Sequence, residues 1–363
     1  MLKRLVLAGL ACALLTPAAA PAADTFVIKG RGFGHGIGMS QYGAFGFAKH
    51  GHDYQRILGH YYKGTRVDQV GAERVRVLVG GGRRIVFSDA SRACGQSLEE
   101  SRSYAFERQG GGVALTSGGG NRIADCGRTG GARGGGSVVY AARGEYRGEL
   151  IAVPAGGRLN AVNRATIDDY AKGVVPNEVP ASWPQDALRA QAVAARSYAL
   201  ATTVDGAGFD LYDDTRSQVY GGKSSELPAT NSAVNASAGE VVKDGDRIAV
   251  TFFFSTSGGM TEDVEHGFPG AEPRSYLKSV RDPYDDASPY HRWKLKLSRA
   301  EMESRLGGLV SGRLRGIDVV KTGASPRIVQ ARVEGSAGSE KVSGQALQSA
   351  LGLRSTWARF KKR

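Results

Sequence analysis

The chain has 363 residues, which is enough for one large domain with insertions or for two ordinary domains. Lysine and arginine outnumber aspartate and glutamate by 48 to 35, so the formal net charge is +13. This charge favours anionic partners, but the basic residues are scattered along the sequence and no nucleic-acid-binding motif accompanies them. We therefore expect no nucleic-acid binding, and we interpret the charge as a source of solubility and loose attraction to anionic surfaces.

The first residues have the layout of a secretory signal peptide. Lys3 and Arg4 precede an apolar stretch that ends at Leu15, and small residues follow it. We predict that residues 1–23 are a cleaved signal; a lipoprotein with Cys12 as the lipidated residue is the alternative, but it fits its cleavage pattern poorly. No later stretch approaches the ~18 consecutive apolar residues of a membrane span. The sequence thus predicts an exported protein without a transmembrane segment after signal cleavage.

Two cysteines, Cys94 and Cys126, would remain after signal cleavage. In an oxidising compartment, an even pair is most simply interpreted as one disulfide. The two cysteines belong to no C-x-x-C motif and to no Cys/His cluster, so they do not indicate a metal site.

The predicted elements begin with a short strand over residues 25–29. In residues 30–38, which follow it, every second residue is glycine, so the backbone could approach a ligand closely. The spacing does not match the dinucleotide-binding fingerprint. Ser40 and Asp53 are each placed to cap a helix, and the two helices are predicted over residues 41–49 and 54–62.

Residues 74–153 are predicted to be β-rich, because short β-type runs alternate there with glycine-rich turns. Within them, the stretch 130–137 is predicted to be a mobile loop because of its low complexity. Beyond residue 240, the pattern predicts strands over 247–254, 315–320 and 328–333 and helices near 298–306 and 344–351.

The clearest predicted helix follows Ser182, which we interpret as its N-cap, and runs to about Thr202. Its alanine-rich face predicts a buried core helix. Gln191 lies on that face, and it is either a satisfied polar group of the core or a residue that points into a cleft. Together these elements predict an α+β fold in which β structure predominates, built around a long core helix.

One long stretch is similar to a known family. Residues 167–198, IDDYAKGVVPNEVPASWPQDALRAQAVAARSY, resemble the signature of the SpoIID/LytB family. Shorter stretches that also resemble the family are QVYG at 218–221, STSGG at 255–259, YLKSVRDPY at 276–284, and residues 30–64 with the core GHGIGMSQYGA.

The order of these stretches differs from the usual one. In the family, the segment that corresponds to residues 30–64 closes the domain, whereas here it opens the chain. Residues 342–357 resemble the sequence that would ordinarily precede that segment. We interpret this as a circular permutation, which predicts that residues 25–29 lie beside residues 355–360. The domain interpretation is a signal at 1–23 and one SpoIID/LytB-like domain at 24–363, divided into a permuted segment (24–66), a β-rich insert (67–153) and a core (154–363).

The resemblance implies that Glu178 is a catalytic acid, placed in a loop at 176–180 just before the long helix. A carboxylate that stabilises helix N–H groups is the alternative. The acid would need a raised pKa, which burial beneath Trp183 could provide. A lytic transglycosylase uses the muramoyl 6-hydroxyl as its internal nucleophile, so one carboxyl group suffices. Asp168, Asp169 and Asp186 are near in sequence, but none is a compelling second carboxylate, and Asp186 is better explained as a helix-dipole partner.

The resemblance also implies a set of substrate-binding residues. For His35, the alternative is a histidine with only a structural role in its loop. For several of the other residues, the alternative is a polar side chain whose hydrogen bonds are satisfied within a turn or at the end of a strand. Some family members place His and Cys around residues 254–260; this chain has Phe254, Ser257 and Met260 there, so we expect no zinc and no cofactor. The implied set is His35, Ser40, Gln41, Trp183, Gln191, Arg196, Tyr220, Ser255, Ser257 and Glu262.

The function that this resemblance implies is a secreted or wall-associated lytic transglycosylase that cleaves the glycan strands of peptidoglycan. The alternative is a non-catalytic wall-binding protein or a modifier of an amidase, because such proteins share the domain. The implied partners are peptidoglycan strands, anionic wall polymers and, for the alternative, an amidase.

Overall fold

The computed structural model describes residues 24–363, so the predicted signal peptide at 1–23 lies outside the described residues. Helices make up 24% and strands 38% of the structure. The predicted β-rich α+β class is confirmed.

The helices and strands follow one another along the described chain. The strands are β1 (Thr25–Gly30), β2 (Met39–Ser40), β3 (Arg66–Gln69), β4 (Arg74–Gly82), β5 (Arg84–Ser88), β6 (Arg92–Ala93), β7 (Gln96–Ser97), β8 (Tyr104–Gln109), β9 (Gly112–Ser117), β10 (Arg122–Asp125), β11 (Gly130–Tyr140), β12 (Gly144–Ala155), β13 (Arg158–Thr166), β14 (Leu211–Tyr212), β15 (Glu240–Asp244), β16 (Arg247–Ile248), β17 (Phe253–Phe254), β18 (Trp293–Ser298), β19 (Leu314–Thr322), β20 (Ile328–Gly335), β21 (Ser339–Ser343) and β22 (Ala358–Lys362). The helices are α1 (Gln41–Lys49), α2 (Tyr54–Tyr61), α3 (Ile167–Glu178), α4 (Gln185–Ala201), α5 (Pro228–Ala236), α6 (Val264–Gly267), α7 (Arg299–Leu306) and α8 (Gly344–Leu351), with short 3₁₀ helices at Lys223–Ser225 and Gly307–Leu309.

The largest sheet has the strand order β10-β9-β8-β5-β11-β12-β13-β4-β14, and the short strands β6 and β7 extend it beside β11. Its neighbours pair antiparallel except β14, which pairs in parallel with β4. The disulfide Cys94–Cys126, expected from the sequence, joins two of its outer turns. One face of the sheet packs its valine and aromatic residues against α3 and α4, so the sheet supports the helix that ends at Glu178.

The glycine-rich stretch 130–137 is part of strand β11, so the prediction of a mobile loop is wrong. Gly130 pairs with Ala152 of β12, and a Cβ at Gly130 would come within 2.6 Å of the Phe106 ring. A register shift between Arg133 and Ser137 accommodates the intervening glycines as a bulge. Low complexity here reflects close packing and a bulge, because glycine is the residue that fits both.

The helices at the start of the chain form where their caps predict. Ser40 accepts a hydrogen bond from the N–H of Gly43, and Asp53 accepts one from Arg56. The predicted cap of α4 is wrong, because Pro184 is the N-cap residue and no side chain caps that end. Helix α4 is nevertheless the predicted core helix, buried between the large sheet, α1, α2, α3 and α5.

The start and the end of the described chain meet in a three-stranded antiparallel sheet with the order β18-β1-β22. Val27 of the central strand β1 lies opposite Lys296 on one side and Lys361 on the other. The N–H of Arg31 donates to the Trp357 oxygen at 3.0 Å. The predicted closeness of residues 25–29 to the chain end is confirmed, and it is the arrangement that a circular permutation requires.

Candidate active site

Glu178 is the last residue of α3. The helix begins after Thr166, whose side chain accepts a hydrogen bond from the N–H of Asp169 at 3.1 Å, and it ends where Val179 returns to an extended backbone. Residues 176–178 are helical, so the expectation of a loop at 176–180 that holds Glu178 is wrong. Pro176 lies inside the last turn, and the buried apolar residues of α3 hold the helix together in spite of it.

The carboxyl group of Glu178 is half-buried between the start of α1 and the loop that carries Val219. Gln41 Nε2 donates to Glu178 Oε2 at 3.4 Å and to the Glu178 backbone oxygen at 3.3 Å. Burial raises the pKa of Glu178, while the hydrogen bonds from Gln41 and from the backbone of Val219 act in the opposite direction. The negative end of the α3 dipole acts in the same direction as burial. The carboxyl group therefore holds its proton to a higher pH than an exposed glutamate does.

Gln41, the first residue of α1, also contacts the long helix α4. Its Nε2 also lies 3.5 Å from the Oε1 of Gln191, which is 1% exposed. The side-chain nitrogen of Gln191 has no hydrogen-bond partner within residues 24–363. Gln191 is thus buried and also borders the site, and a bound hydroxyl group would satisfy its free donor.

Three partly exposed aromatic rings lie beside this pair of glutamines. The ring of Trp183 is 5.1 Å from the ring of Tyr42 and 5.1 Å from that of Phe45. Sequence reasoning missed Tyr42 and Phe45, although their spacing of three places them on one face of the predicted helix. Aromatic rings next to a few convergent polar groups are typical of small-molecule and sugar sites.

The serines of the predicted cleft divide into two groups. Ser255 is partly exposed, and its backbone oxygen accepts a hydrogen bond from the N–H of Tyr42 at 3.0 Å, so it borders the site. Ser40 and Ser257 are fully buried. Ser40 Oγ accepts from the N–H of Ser257 at 3.2 Å, and Ser257 Oγ donates to Asp285 at 2.9 Å. These two serines hold the backbone that positions Gln41.

Arg196 and Tyr220 lie inside the protein, which corrects their assignment to the cleft surface. The Arg196 guanidinium is fully buried, pairs with Asp168 at 2.6 Å and donates to the Val234 oxygen at 2.7 Å. The Tyr220 hydroxyl donates to Asn163 Oδ1 at 2.7 Å in the core under the large sheet. Both side chains brace the helices around α4.

Glu262 and His35 also have structural partners. Glu262 is 1% exposed, and its Oε1 accepts a hydrogen bond from the N–H of Ala324 at 2.8 Å, which corrects its assignment to the cleft. The Nδ1 of His35 accepts from the N–H of Ile37 at 3.0 Å, so Nε2 is left to donate to the Phe253 oxygen at 3.1 Å. Burial lowers the pKa of His35 to about 4. The neutral ring therefore fixes the glycine-rich loop, and the loop-histidine alternative is favoured.

The three aspartates considered as a second carboxylate are engaged elsewhere. Each forms an ion pair with a basic side chain on or beside its own helix. The pairs are Asp168 with Arg196 at 2.6 Å, Asp169 with Lys172 at 3.4 Å and Asp186 with Arg189 at 3.6 Å. None of these three aspartates is therefore a free second carboxylate beside Glu178.

Sequence reasoning also missed Asp282, which lies beneath the start of α1. It is 1% exposed, and burial raises its pKa to about 6, with a further contribution from the charge of Asp285. Neither of its carboxyl oxygens has a hydrogen-bond partner within residues 24–363, and the nearby hydroxyl groups of Ser257, Tyr61 and Ser40 only partly offset the rise of its pKa. A Cβ at Gly43 would collide with both Tyr61 and Asp282, so α1 can pass over this carboxyl group only with glycine there.

We expect Asp282→Asn to change how stability depends on pH. The folded pKa is about 6, against ~3.9 in the unfolded chain, so the folded state binds more protons between these values. Stability should fall as pH rises through this window, by roughly 3 kcal/mol at most. Urea unfolding at pH values below and above this window measures the effect. The free energy of unfolding of Asp282→Asn, relative to that of wild type, should increase with pH. A difference that stays constant, as expected for the exposed control Asp318→Asn, would contradict this prediction.

A family comparison matches residues 155–243 to the model described as Stage II sporulation protein, SpoIID. The match contains Glu178 and Gln191 but neither Gln41 nor Ser255. Within residues 24–363, no helix is long and apolar enough to cross a membrane.

Three curated relatives extend the similarity. Stage II sporulation protein D of Bacillus subtilis is 29% identical over 56% of this chain and 62% of its own length. An uncharacterised protein of Brachyspira hyodysenteriae is 36% identical over 45% of this chain and 44% of its own length. The amidase enhancer of Bacillus subtilis is 38% identical over 37% of this chain and 18% of its own length. The chain thus spans less than two thirds of each of these relatives. Residues 155–243 thus match the SpoIID family, and the relatives named Stage II sporulation protein D and amidase enhancer support the same relationship.

Proposed function

We propose that this protein is an exported lytic transglycosylase that cleaves the glycan strands of peptidoglycan, with Glu178 as its single acid and base. The observation that carries the proposal is the state of Glu178: a half-buried carboxyl group with a raised pKa, hydrogen-bonded to Gln41. The family and its named relatives support a role at the cell wall. The partly exposed rings of Tyr42, Phe45 and Trp183 supply a surface for sugar rings beside that acid.

In the proposed reaction, protonated Glu178 donates its proton to the glycosidic oxygen as the C1–O bond of the muramoyl residue breaks. The 6-hydroxyl of the same muramoyl residue attacks C1, and the Glu178 carboxylate takes the proton of that hydroxyl. The acid is regenerated, no water is consumed, and a 1,6-anhydro ring closes. One carboxyl group suffices because the nucleophile is internal to the substrate.

The direct test is mass spectrometry of the fragments released by the purified protein from sacculi, both intact and stripped of peptide by an amidase. Release of 1,6-anhydromuramoyl ends is the expected result. Reducing ends would instead indicate hydrolysis and a second carboxylate.

The alternative proposal is a non-catalytic wall-binding protein that modifies an amidase. The observation that favours it is the similarity to the amidase enhancer. Retained binding to sacculi without release of any fragment, together with faster cleavage by an added amidase, would support this alternative and exclude the transglycosylase.

The contact between Gln41 and Glu178 predicts a shift in the pH profile. The hydrogen bond from Gln41 lowers the pKa of Glu178, so its removal in Gln41→Ala should raise that pKa further. Because the acid must be protonated, the alkaline limb of the kcat/KM profile should move to higher pH. The exposed residue Gln109 supplies the control Gln109→Ala, which should keep the wild-type profile. An alkaline limb that moves to lower pH, or does not move, would contradict the assigned contact.

A further inference from the structure

A second concave site, built from none of the residues around Glu178, lies at the edge of the sheet β18-β1-β22. It is a cavity of 670 Å³. Five of the residues that line it are basic, and no acidic residue lines it. The five are Lys29, Arg31, Arg292, Lys294 and Arg359.

Three of these cations form a row across the sheet. Lys29 of the central strand lies directly opposite Lys294 on one side and Arg359 on the other. Like charges in directly opposed positions destabilise a sheet. Within residues 24–363, none of the five lining cations forms a salt bridge with a carboxylate. The row is therefore an uncompensated positive charge that an anionic ligand would neutralise.

The charge continues beyond the cavity on the same face. Two residues further along the strands, about 7 Å away, Lys296 and Lys361 flank Val27 in the same way. On the other side, Arg31 lies close enough to Arg292 and Arg359 that their charges, added to the effect of burial, lower its pKa. The site is thus elongated, with anion-binding positions at successive rows of the sheet.

The two tryptophans of the cavity already have partners. The Trp293 indole N–H donates to the Gly32 oxygen at 2.8 Å, and its ring covers Gly30. The Trp357 ring is contacted by the guanidinium groups of Arg31 at 5.3 Å and Arg327 at 5.5 Å. Both rings are thus already engaged with other groups of the protein. The recognition chemistry of this cavity is therefore charge, not stacking.

We propose that this cavity and the basic face that continues from it bind a linear phosphodiester polymer of polyol or carbohydrate units. Guanidinium and ammonium groups together suit phosphate oxygens, and two rows of cations along the strands suit a repeating anion rather than a single ion. Binding here would tether the protein to an anionic wall polymer. This inference goes beyond the proposed glycan cleavage and does not depend on it.

The test uses a variant in which the three charges of the row are removed and the fold is expected to be unchanged. The variant carries Lys29→Gln, Lys294→Gln and Arg359→Gln; the matched control removes three exposed, unpaired arginines of the large-sheet region through Arg74→Gln, Arg128→Gln and Arg158→Gln. Titration calorimetry with glycerol-phosphate oligomers at low salt measures binding. The row variant should lose about tenfold or more in affinity and show a shallower salt dependence, while the control stays within about twofold of wild type.

Folding does not confound this comparison, because removing opposed like charges should leave the melting temperature of the row variant unchanged or raise it. Glycan cleavage by the row variant on isolated strands should equal that of wild type. Equal affinity of the row variant and the control would overturn the proposal. Tighter binding to single-stranded oligonucleotides or to phosphatidylglycerol vesicles than to the glycerol-phosphate oligomer would overturn it as well.

Discussion

Glu178→Gln is expected to abolish the release of anhydromuramoyl fragments. The amide keeps the shape of the side chain and its contact with Gln41, but it has no proton to give to the glycosidic oxygen. Loss of a general acid lowers rates by about 10²–10⁴-fold. Fragment release from peptide-stripped sacculi, followed over time, measures the effect, and co-sedimentation with sacculi shows whether the variant still binds.

The matched control is Asp186→Asn, which removes the carboxylate of another residue near the start of α4. Asp186 accepts a hydrogen bond from the N–H of Tyr54 at 3.4 Å and pairs with Arg189 at 3.6 Å, so its role is structural. It should retain most of the wild-type rate. An active Glu178→Gln variant, or an Asp186→Asn variant that loses activity equally while folded, would contradict the assignment of the acid.

Gly46→Ala and Gly59→Ala should have opposite effects on stability, although both change a helical glycine to the best helix former. A Cβ at Gly46 of α1 would collide with the backbone oxygen of Tyr284, whereas no atom lies within 4 Å of a Cβ at Gly59 of α2. Overpacking against backbone costs typically 1–3 kcal/mol. At the exposed position Gly59, the same change should raise the free energy of unfolding by about 0.5–1 kcal/mol.

Urea unfolding of the two variants measures both effects. We expect Gly46→Ala to unfold at lower urea concentration than wild type and Gly59→Ala at higher. Because α1 begins at Gln41, Gly46→Ala should also reduce glycan cleavage under conditions in which it remains folded. If both variants were stabilised, the close contact between α1 and Tyr284 would be refuted.

Local sequence signals sufficed where a local interaction decides the structure. Ser40 and Asp53 predict the starts of α1 and α2 because a cap needs a single side chain and the next turn. The predictions failed where distant chain segments decide. Residues 130–137 are a strand because β12 pairs with them, and Glu178 ends a helix because the large sheet and α4 bury the apolar side of α3.

The candidate site could be predicted only in part, because it also depends on contacts between distant segments of the chain. The resemblance identified Glu178 and Gln41, and the structure brings their side chains together. It could not separate exposed from buried members of the same motifs, so Ser255 borders the site while Arg196 and Glu262 are internal. The basic row could not be predicted from the sequence, because Lys29, Lys294 and Arg359 come from three distant segments and become neighbours only by strand pairing.

The central place of β1 in its sheet has a consequence for the order in which the protein folds. Strand β1 is among the first described residues to be synthesised, yet its partners β18 and β22 are among the last. Closing so long a loop is slow, and the pairing of β1 with β22 cannot begin until residues 358–362 are available. Gln41, which contacts Glu178, follows β1 by eleven residues. A chain whose synthesis has not reached residues 358–362 would therefore lack the complete β18-β1-β22 sheet, so the segment that leads from β1 to Gln41 would not yet be held on both sides.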